Sequence, residues 1–201
     1  MLAGGRGSRL GGIDKPGLRV GERTLIGSVV TEVRAAGVRR VVVVGPPRPG
    51  VTPADGDLLV VREDPPGAGP VPALRRGLAE VTAGWVFVLA ADLPFLRAGD
   101  LATLLAAARS GGRGAIMTDT AGQPQWLVGC WPAAPLREAA AGYRGGSLRG
   151  LLGPLGVTRL APSPDRPGPP PWLDCDTPED VRAARASSNV PAGDRETEVP
   201  Q

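Results

Sequence analysis

The sequence predicts a three-layer α/β domain on three observations. Short β-branched apolar runs alternate with helix-period segments, two of those runs are apolar without a break, and loops carrying glycine or carboxylate follow the runs. Unbroken apolar runs suit strands buried on both faces. At 201 residues and 42% hydrophobic content the chain has material for one substantial core. One domain over residues 1–186 is expected. From about Ser187 the chain is small and polar with no apolar period, so residues 187–201 read as a disordered tail.

Each element has its own signal. Leu2-Ala3 ends a first strand, short for a buried one, and a glycine-rich run follows it. Thr24 to Gly37 is helical, and the four valines after Arg40 make a strand running to Gly45. Leu58 to Arg62 is the next strand and Pro70 to Val81 the next helix, with proline in its first turn. Trp85 to Ala91 is again continuously apolar and ends at Asp92. Gly99 to Ser110 is an amphipathic helix whose N-terminus Asp100 favours. Ala115 to Thr120 and Gln125 to Trp131 read as a strand pair, Leu136 to Ala141 and Ser147 to Leu155 as helices, and Val157 to Ala161 as a late strand. Pro162 to Pro171 is a proline-dense loop. Thr177-Pro178 then opens a last helix, as N-cap and first helical residue.

Composition narrows the chemistry. Net charge is +3 and pI is near 9.5, with arginine scattered among carboxylates and no basic run interleaved with aromatics, so a nucleic-acid partner is not expected. The chain has no histidine, which removes zinc sites of the Cys/His type and Ser-His-Asp or Cys-His catalysis. Cys130 and Cys175 form no spaced motif. Any metal must be held by oxygen, pointing to Mg²⁺ or Mn²⁺. Arginine or glycine interrupts every apolar run, so no membrane span or signal peptide is expected, and the protein reads as cytoplasmic with reduced cysteines.

Of the 23 basic residues one is a lysine, Lys15, and it closes the run Leu2-Ala-Gly-Gly-Arg-Gly-Ser-Arg-Leu-Gly-Gly-Ile-Asp-Lys15. In a chain that otherwise uses arginine, this position calls for a compact point charge on a flexible stem. Gly4, Gly5 and Gly7 let backbone N–H groups approach an anion closely, and phosphate is the natural partner of both features. The run is neither a Walker loop, since Pro16 follows Lys15, nor a dinucleotide fingerprint leading directly into a helix. Asp92 directly follows a buried strand, where a carboxylate is costly unless paired or metal-bound. It is the leading ligand for a hard cation; a cap for the helix that follows is the alternative. Asp174 and Asp176 share one face of a short extended segment and suggest a cation or cationic partner nearby; a capping role for Asp176 is the alternative.

Taken together these residues resemble the molybdenum cofactor guanylyltransferases. The resemblance rests on Leu-Ala-Gly-Gly through Asp14-Lys15, Asp64-x-x-Gly67-x-Gly-Pro70, Asp92-x-Pro94, Gly122-x-x-Gln125, Ser147-Leu-Arg149-x-Leu-Leu and the closing Asp176-Thr-Pro-Glu-Asp180, in order over roughly residues 1–186. It implies a Rossmann-like nucleotidyltransferase fold with a mostly parallel, mixed sheet, and transfer of GMP from GTP to molybdopterin-bound molybdenum cofactor. By position, Leu2, Ala3, Gly4 and Gly5 would line the guanine nucleotide site, Lys15 and Arg9 would neutralise its phosphates, Asp64 would contact the nucleotide, and Asp92, with Asp176, would hold Mg²⁺. Ser147 and Arg149 are candidates for the acceptor side, although a helix cap and a surface arginine explain them equally well. The resemblance also implies transient contact with molybdoenzyme maturation proteins. Two departures stand out: Asp174-Cys-Asp176 where the family commonly has Asn-x-Asn, and Gly45-Pro46-Pro47 where an asparagine can help define the nucleotide site. Open alternatives are a cytidylyltransferase for the same pterin, a nucleotidyltransferase for another small acceptor, and a nucleotide-binding paralogue without turnover.

Overall fold

Alternation along each strand decides which helical layer that strand feeds. The computed structural model describes residues 1–4, 14–48, 51, 57–166, 168–175, 180 and 182, and the chain order is as follows. A 3₁₀ turn at Lys15–Gly17 leads to β1 (Arg19–Val20) and β2 (Arg23–Thr24), then α1 (Leu25–Ala35), β3 (Val41–Val44), β4 (Leu58–Val61), α2 (Pro70–Leu78) and β5 (Trp85–Leu89). The second half runs α3 (Ala98–Gly111), β6 (Gly114–Thr118), β7 (Pro124–Pro132), α4 (Ala133–Gly142), α5 (Leu148–Leu152), a 3₁₀ turn at Gly153–Leu155, and β8 (Val157–Leu160). The expected helix from Thr177 and the tail 187–201 fall largely or wholly outside the described residues. Among those described, no helix is long and apolar enough to cross a membrane.

All four β3 valines are buried, as their unbroken run requires. Val41 and Val43 pack with Ile26, Val29 and Val33 of α1 and with Leu101 and Leu104 of α3. Val42 and Val44 face the other way, onto Val61 and Ala73. On β6, Ala115 and Met117 join the first cluster, while Ile116 joins Val71, Leu74, Leu136 and Leu151 of α2, α4 and α5. The result is the predicted three layers, with α1 and α3 on one face and α2, α4 and α5 on the other.

Leu2 joins two blocks of sheet. It bridges Val44 and Ala90, both in parallel, with Ala3 N–H donating to Val44 O at 2.8 Å and Leu2 N–H to Leu89 O at 2.8 Å. With the pairings β3–β4, β5–β7, β6–β7 and β6–β8, the order across the sheet is β4, β3, the Leu2 segment, β5, β7, β6, β8. Only the β7 pairings in this order are antiparallel, so the sheet is mostly parallel and mixed, as expected. Trp131 is wholly buried on β7 and lies across Gly114 of β6, where a Cβ would come within 2.3 Å of the indole. Any side chain at that position would displace the ring.

The helix ends are locally satisfied. Thr24, read as the first residue of the helix, instead caps α1, accepting from Gly27 N–H at 3.1 Å. α3 receives a capping box from Asp100, whose Oδ2 accepts from Arg97 N–H at 2.9 Å, and Glu32 of α1 accepts from Ala98 N–H at 2.8 Å. Arg75 of α2 donates to Ala140 O at 2.6 Å and to Tyr143 O, covering carbonyls at the C-terminal end of α4 and fixing the approach to Ser147.

Candidate active site

The carboxyl ends of β4, β3, the Leu2 segment and β5 open onto one cleft of about 1170 Å³, the side on which open α/β sheets bind ligands. Leu2, Ala3 and Gly4 form its floor. Gly45 follows β3 so closely against the floor that a Cβ there would sit 2.8 Å from Ala3 O, which requires glycine before the Pro46 wall. Glu63, Gly67, Gly69 and Pro70, between β4 and α2, make the wall at one end.

Lys15, Asp92 and Asp174 all line the cleft although they come from three distant segments. A small apolar knot brings them together: Leu18 and Val20 follow Lys15, Phe95 follows Asp92, Cys175 follows Asp174, and all four pack with Leu25 in one cluster. The first turn after Lys15 is further tied by its neighbour Asp14, which accepts from Arg48 Nε at 2.7 Å; Arg48 also donates to Pro46 O at 3.4 Å. Thus the end of the glycine-rich run is pinned to the loop after β3. A second clamp holds the Asp92 side. Arg166 donates from Nε to Asp100 Oδ1 at 2.8 Å and from Nη2 to Asp100 Oδ2 at 3.0 Å, and also reaches Phe95 O and Pro169 O. It joins the turn after Asp92 to the proline-dense loop that leads to Trp172 and Asp174.

The electrostatics of the knot report this convergence. The buried Cys175 thiol is pushed up to about 12, first by loss of solvent and then by the charges of Asp180, Asp92 and Asp174, while Lys15 pulls it down. Asp92 does not cap the next helix, because a turn intervenes and α3 starts at Ala98. Two carboxylates beside a lysine and no histidine make a hard, oxygen-only donor set. Among the described residues no three or more His, Cys, Asp and Glu form a metal-sized group. A divalent ion here would take its other ligands from phosphate and water, the usual habit of Mg²⁺, so the residues fit that ion.

The far wall belongs to β7 and α5. Gln125, Trp126, Leu127 and Val128 line it, with Ser147, Leu148 and Arg149 opposite. Gln125 commits its amide to the hairpin turn, donating to Asp119 Oδ2 at 3.2 Å. Ser147 caps α5, accepting from Gly150 N–H at 3.1 Å, and still borders the cleft.

Of the residues singled out from the sequence, Leu2, Ala3, Gly4, Lys15, Asp92, Ser147 and Arg149 thus border one cavity. Asp64 is exposed beside it, while its neighbour Glu63 is buried and lines it. Gly5, Arg9 and Asp176 lie outside the described residues. Sequence reasoning missed Arg48 and Trp126 as lining residues, and in the ligand-side segment Glu63 to Pro70 it gave the contact to Asp64 and not to Glu63. Glu63 carried the same signal as Asp92, a carboxylate just after an apolar run; Arg48 and Trp126 carried none.

Similarity to known proteins agrees with this geometry. A phosphoenolpyruvate guanylyltransferase of Salinispora arenicola is 34% identical over 124 residues, 50% of this chain and 58% of that protein, so this chain spans less than two thirds of that relative. A molybdenum cofactor guanylyltransferase of Cereibacter sphaeroides is 32% identical over 193 residues, 94% of each. Among solved structures, 2-C-methyl-D-erythritol 4-phosphate cytidylyltransferase from Thermus thermophilus superposes with a TM-score of 0.69 at 22% identity, covering 94% of this chain and 98% of that one. The molybdopterin-guanine dinucleotide biosynthesis protein A of Archaeoglobus fulgidus gives 0.67 at 18% identity, covering 93% and 96%. At those identities the structures share the fold. The model of the MobA-like NTP transferase domain matches residues 1–159, and with the whole-length relative it shows that the chain belongs to that nucleotidyltransferase family.

Proposed function

We propose that the protein transfers GMP from GTP to the terminal phosphate of molybdopterin-bound molybdenum cofactor and releases pyrophosphate. The observation that carries this reading is that Lys15, Asp92 and Asp174, gathered by one apolar knot, line a cleft that Trp126, Ser147 and Arg149 also border. A volume of about 1170 Å³ exceeds the upper range of a single-ligand pocket, about 1,000 Å³, which suits a nucleotide and an acceptor held together. Guanine as the base is supported by the names of both relatives, and molybdopterin as the acceptor by the relative that matches over 94% of its length.

Phosphoryl-centre transfer of this kind depends on positioning and charge neutralisation more than on covalent catalysis. An oxygen of the acceptor phosphate forms a bond to the α-phosphorus of GTP while the bond to the β-phosphate bridging oxygen breaks, and pyrophosphate leaves with that electron pair. The acceptor is already an anion, so no strong general base is needed, consistent with a histidine-free chain. Lys15 holds negative charge on the triphosphate. Asp92 and Asp174 would hold Mg²⁺, with Mn²⁺ able to replace it, and the bound ion supplies further neutralisation of phosphate charge. Arg149 and Ser147 face the acceptor, and half-buried Trp126 offers it a flat apolar surface.

The test is incubation with Mg²⁺ and each nucleoside triphosphate, with and without molybdopterin, following pyrophosphate. Release that requires both GTP and the pterin supports the assignment. Equal release from CTP, or none from any nucleotide, overturns it.

A further inference from the structure

We propose that Glu63 reads the base edge of the nucleotide and sets its preference for guanine, an inference that rests on the guanylyl reading above. Glu63 follows β4 and retains only 7% of its exposure, yet it borders the cleft. Its Oε1 accepts from Gly67 N–H at 2.8 Å, and its Oε2, shielded from solvent, has no hydrogen-bond partner among the described residues. A carboxylate oxygen buried without a donor is costly, more so than a neutral group, so a ligand that brings N–H donors to it gains what the protein alone does not provide.

The position narrows which part of a nucleotide meets it. On this reading Lys15 and Asp92 take the phosphates and the cation, and like charge keeps phosphate oxygens away from a carboxylate. Glu63 instead stands against the floor, with its Oε1 3.8 Å from where a Cβ on Gly4 would lie, and Pro46, Gly67, Gly69, Pro70 and Ala73 line the cleft with it, as do Arg48 and Arg62. The glycines and prolines among them suit a flat ring. Guanine presents two adjacent donors, N1–H and the 2-amino group, which match the two oxygens of one carboxylate; Oε1 keeps a second lone pair for this while bonded to Gly67. Adenine and cytosine place a ring acceptor beside their amino group, where a carboxylate repels it. Uracil has one N–H between two carbonyls.

The test compares GTP, ITP, ATP and CTP by calorimetric titration of the intact protein and of Glu63→Gln, with Mg²⁺ present. ITP keeps N1–H and lacks the 2-amino group, so the wild type should bind it on the order of tenfold more weakly than GTP. Glu63→Gln keeps the acceptor for Gly67 N–H and loses the paired acceptors, so GTP affinity should fall about ten- to hundredfold while ITP falls less and ATP and CTP hardly change. The proposal is overturned if the wild type prefers GTP over CTP yet binds ITP equally well, a comparison that stands even if the variant fails to fold. It is also overturned if Glu63→Gln weakens all four nucleotides alike, which would put the carboxylate on the ribose, or weakens none. A wild type with no preference for GTP over CTP overturns the guanylyl reading itself, and this proposal with it.

Discussion

The two ends of the cleft are built by opposite means. The end under β4, β3 and the Leu2 segment is lined largely by glycine and proline, Gly4, Gly67, Gly69, Pro46, Pro66 and Pro70, with Arg48, Arg62 and Glu63 among them. The end under β7 and α5 is made from the antiparallel strand and a helix cap, and it presents side chains: Gln125, Trp126, Ser147 and Arg149. Backbone floors suit a ligand portion that is always the same. Side-chain walls suit one that differs between enzymes, and the relatives share guanylyl transfer while their acceptors are phosphoenolpyruvate in one and molybdenum cofactor in the other.

Breaking the centre should show the largest effect. Asp92→Asn keeps the shape and removes a charge, so turnover should fall at least a hundredfold with an unchanged melting curve; near-normal activity would make Asp92 a structural residue only. Lys15→Arg should fail nearly as badly as Lys15→Ala, because a planar fork does not replace a point charge in a turn followed by Pro16. Each loss should be on the order of 2–4 kcal/mol in the transition state, seen in kcat/KM. Full activity of the arginine variant would mean that any positive charge serves there.

Next in size is the clamp. Arg166 and Asp100 are each 9% exposed, so Arg166→Met strands a buried carboxylate and should lower unfolding free energy by about 3–5 kcal/mol in denaturant titration. Because the clamp joins the turn after Asp92 to the segment before Asp174, the Mg²⁺ concentration needed for half-maximal rate should rise as well. A stability loss with unchanged metal dependence would separate the clamp from the site.

A smaller effect sharpens the contrast between the ends. Trp126→Ala should raise the acceptor KM about tenfold and leave the KM for GTP unchanged, in line with about 1–3 kcal/mol for one lost stacking surface. A change in both constants would mean that the two ends are not separate. Smallest is the behaviour of the thiols. Burial holds both Cys130 and Cys175 up to about 12, against 9.0 for a free thiol. Their neutral forms favour the folded chain in full below pH 9, and this contribution falls as pH rises from 9 toward 12. Iodoacetamide at pH 8 should therefore label neither until the protein is unfolded, and rapid native labelling of Cys175 would show that the knot beneath the site opens.

What was legible in the sequence follows the same divide. β3 was readable because four valines suit a strand covered on both sides, and α1 because Thr24 to Gly37 carries a helical period. The β1–β2 hairpin was missed: two-residue strands around Gly21-Glu22 are too short to show a period. α4 begins at Ala133, ahead of the expected Leu136, because Pro135 lies within its first turn, where proline is tolerated. At the site, glycine and post-strand carboxylates announced Gly4, Lys15 and Asp92 through requirements on backbone and charge. Trp126 and Arg48 have no such local mark. One is an ordinary strand aromatic and the other an ordinary arginine until folding brings β7 and the loop after β3 to the cleft.

The central claim is that a fixed guanylyl end is joined to an acceptor end suited to the pterin. The most direct measurement gives the protein Mg²⁺ and GTP with equal concentrations of molybdenum-loaded molybdopterin and phosphoenolpyruvate, and identifies the guanylylated product by mass spectrometry. The account predicts that the pterin guanine dinucleotide predominates and forms together with stoichiometric pyrophosphate. Predominant guanylylation of phosphoenolpyruvate would contradict it, leaving the guanylyl end intact and reassigning the wall of Trp126, Ser147 and Arg149.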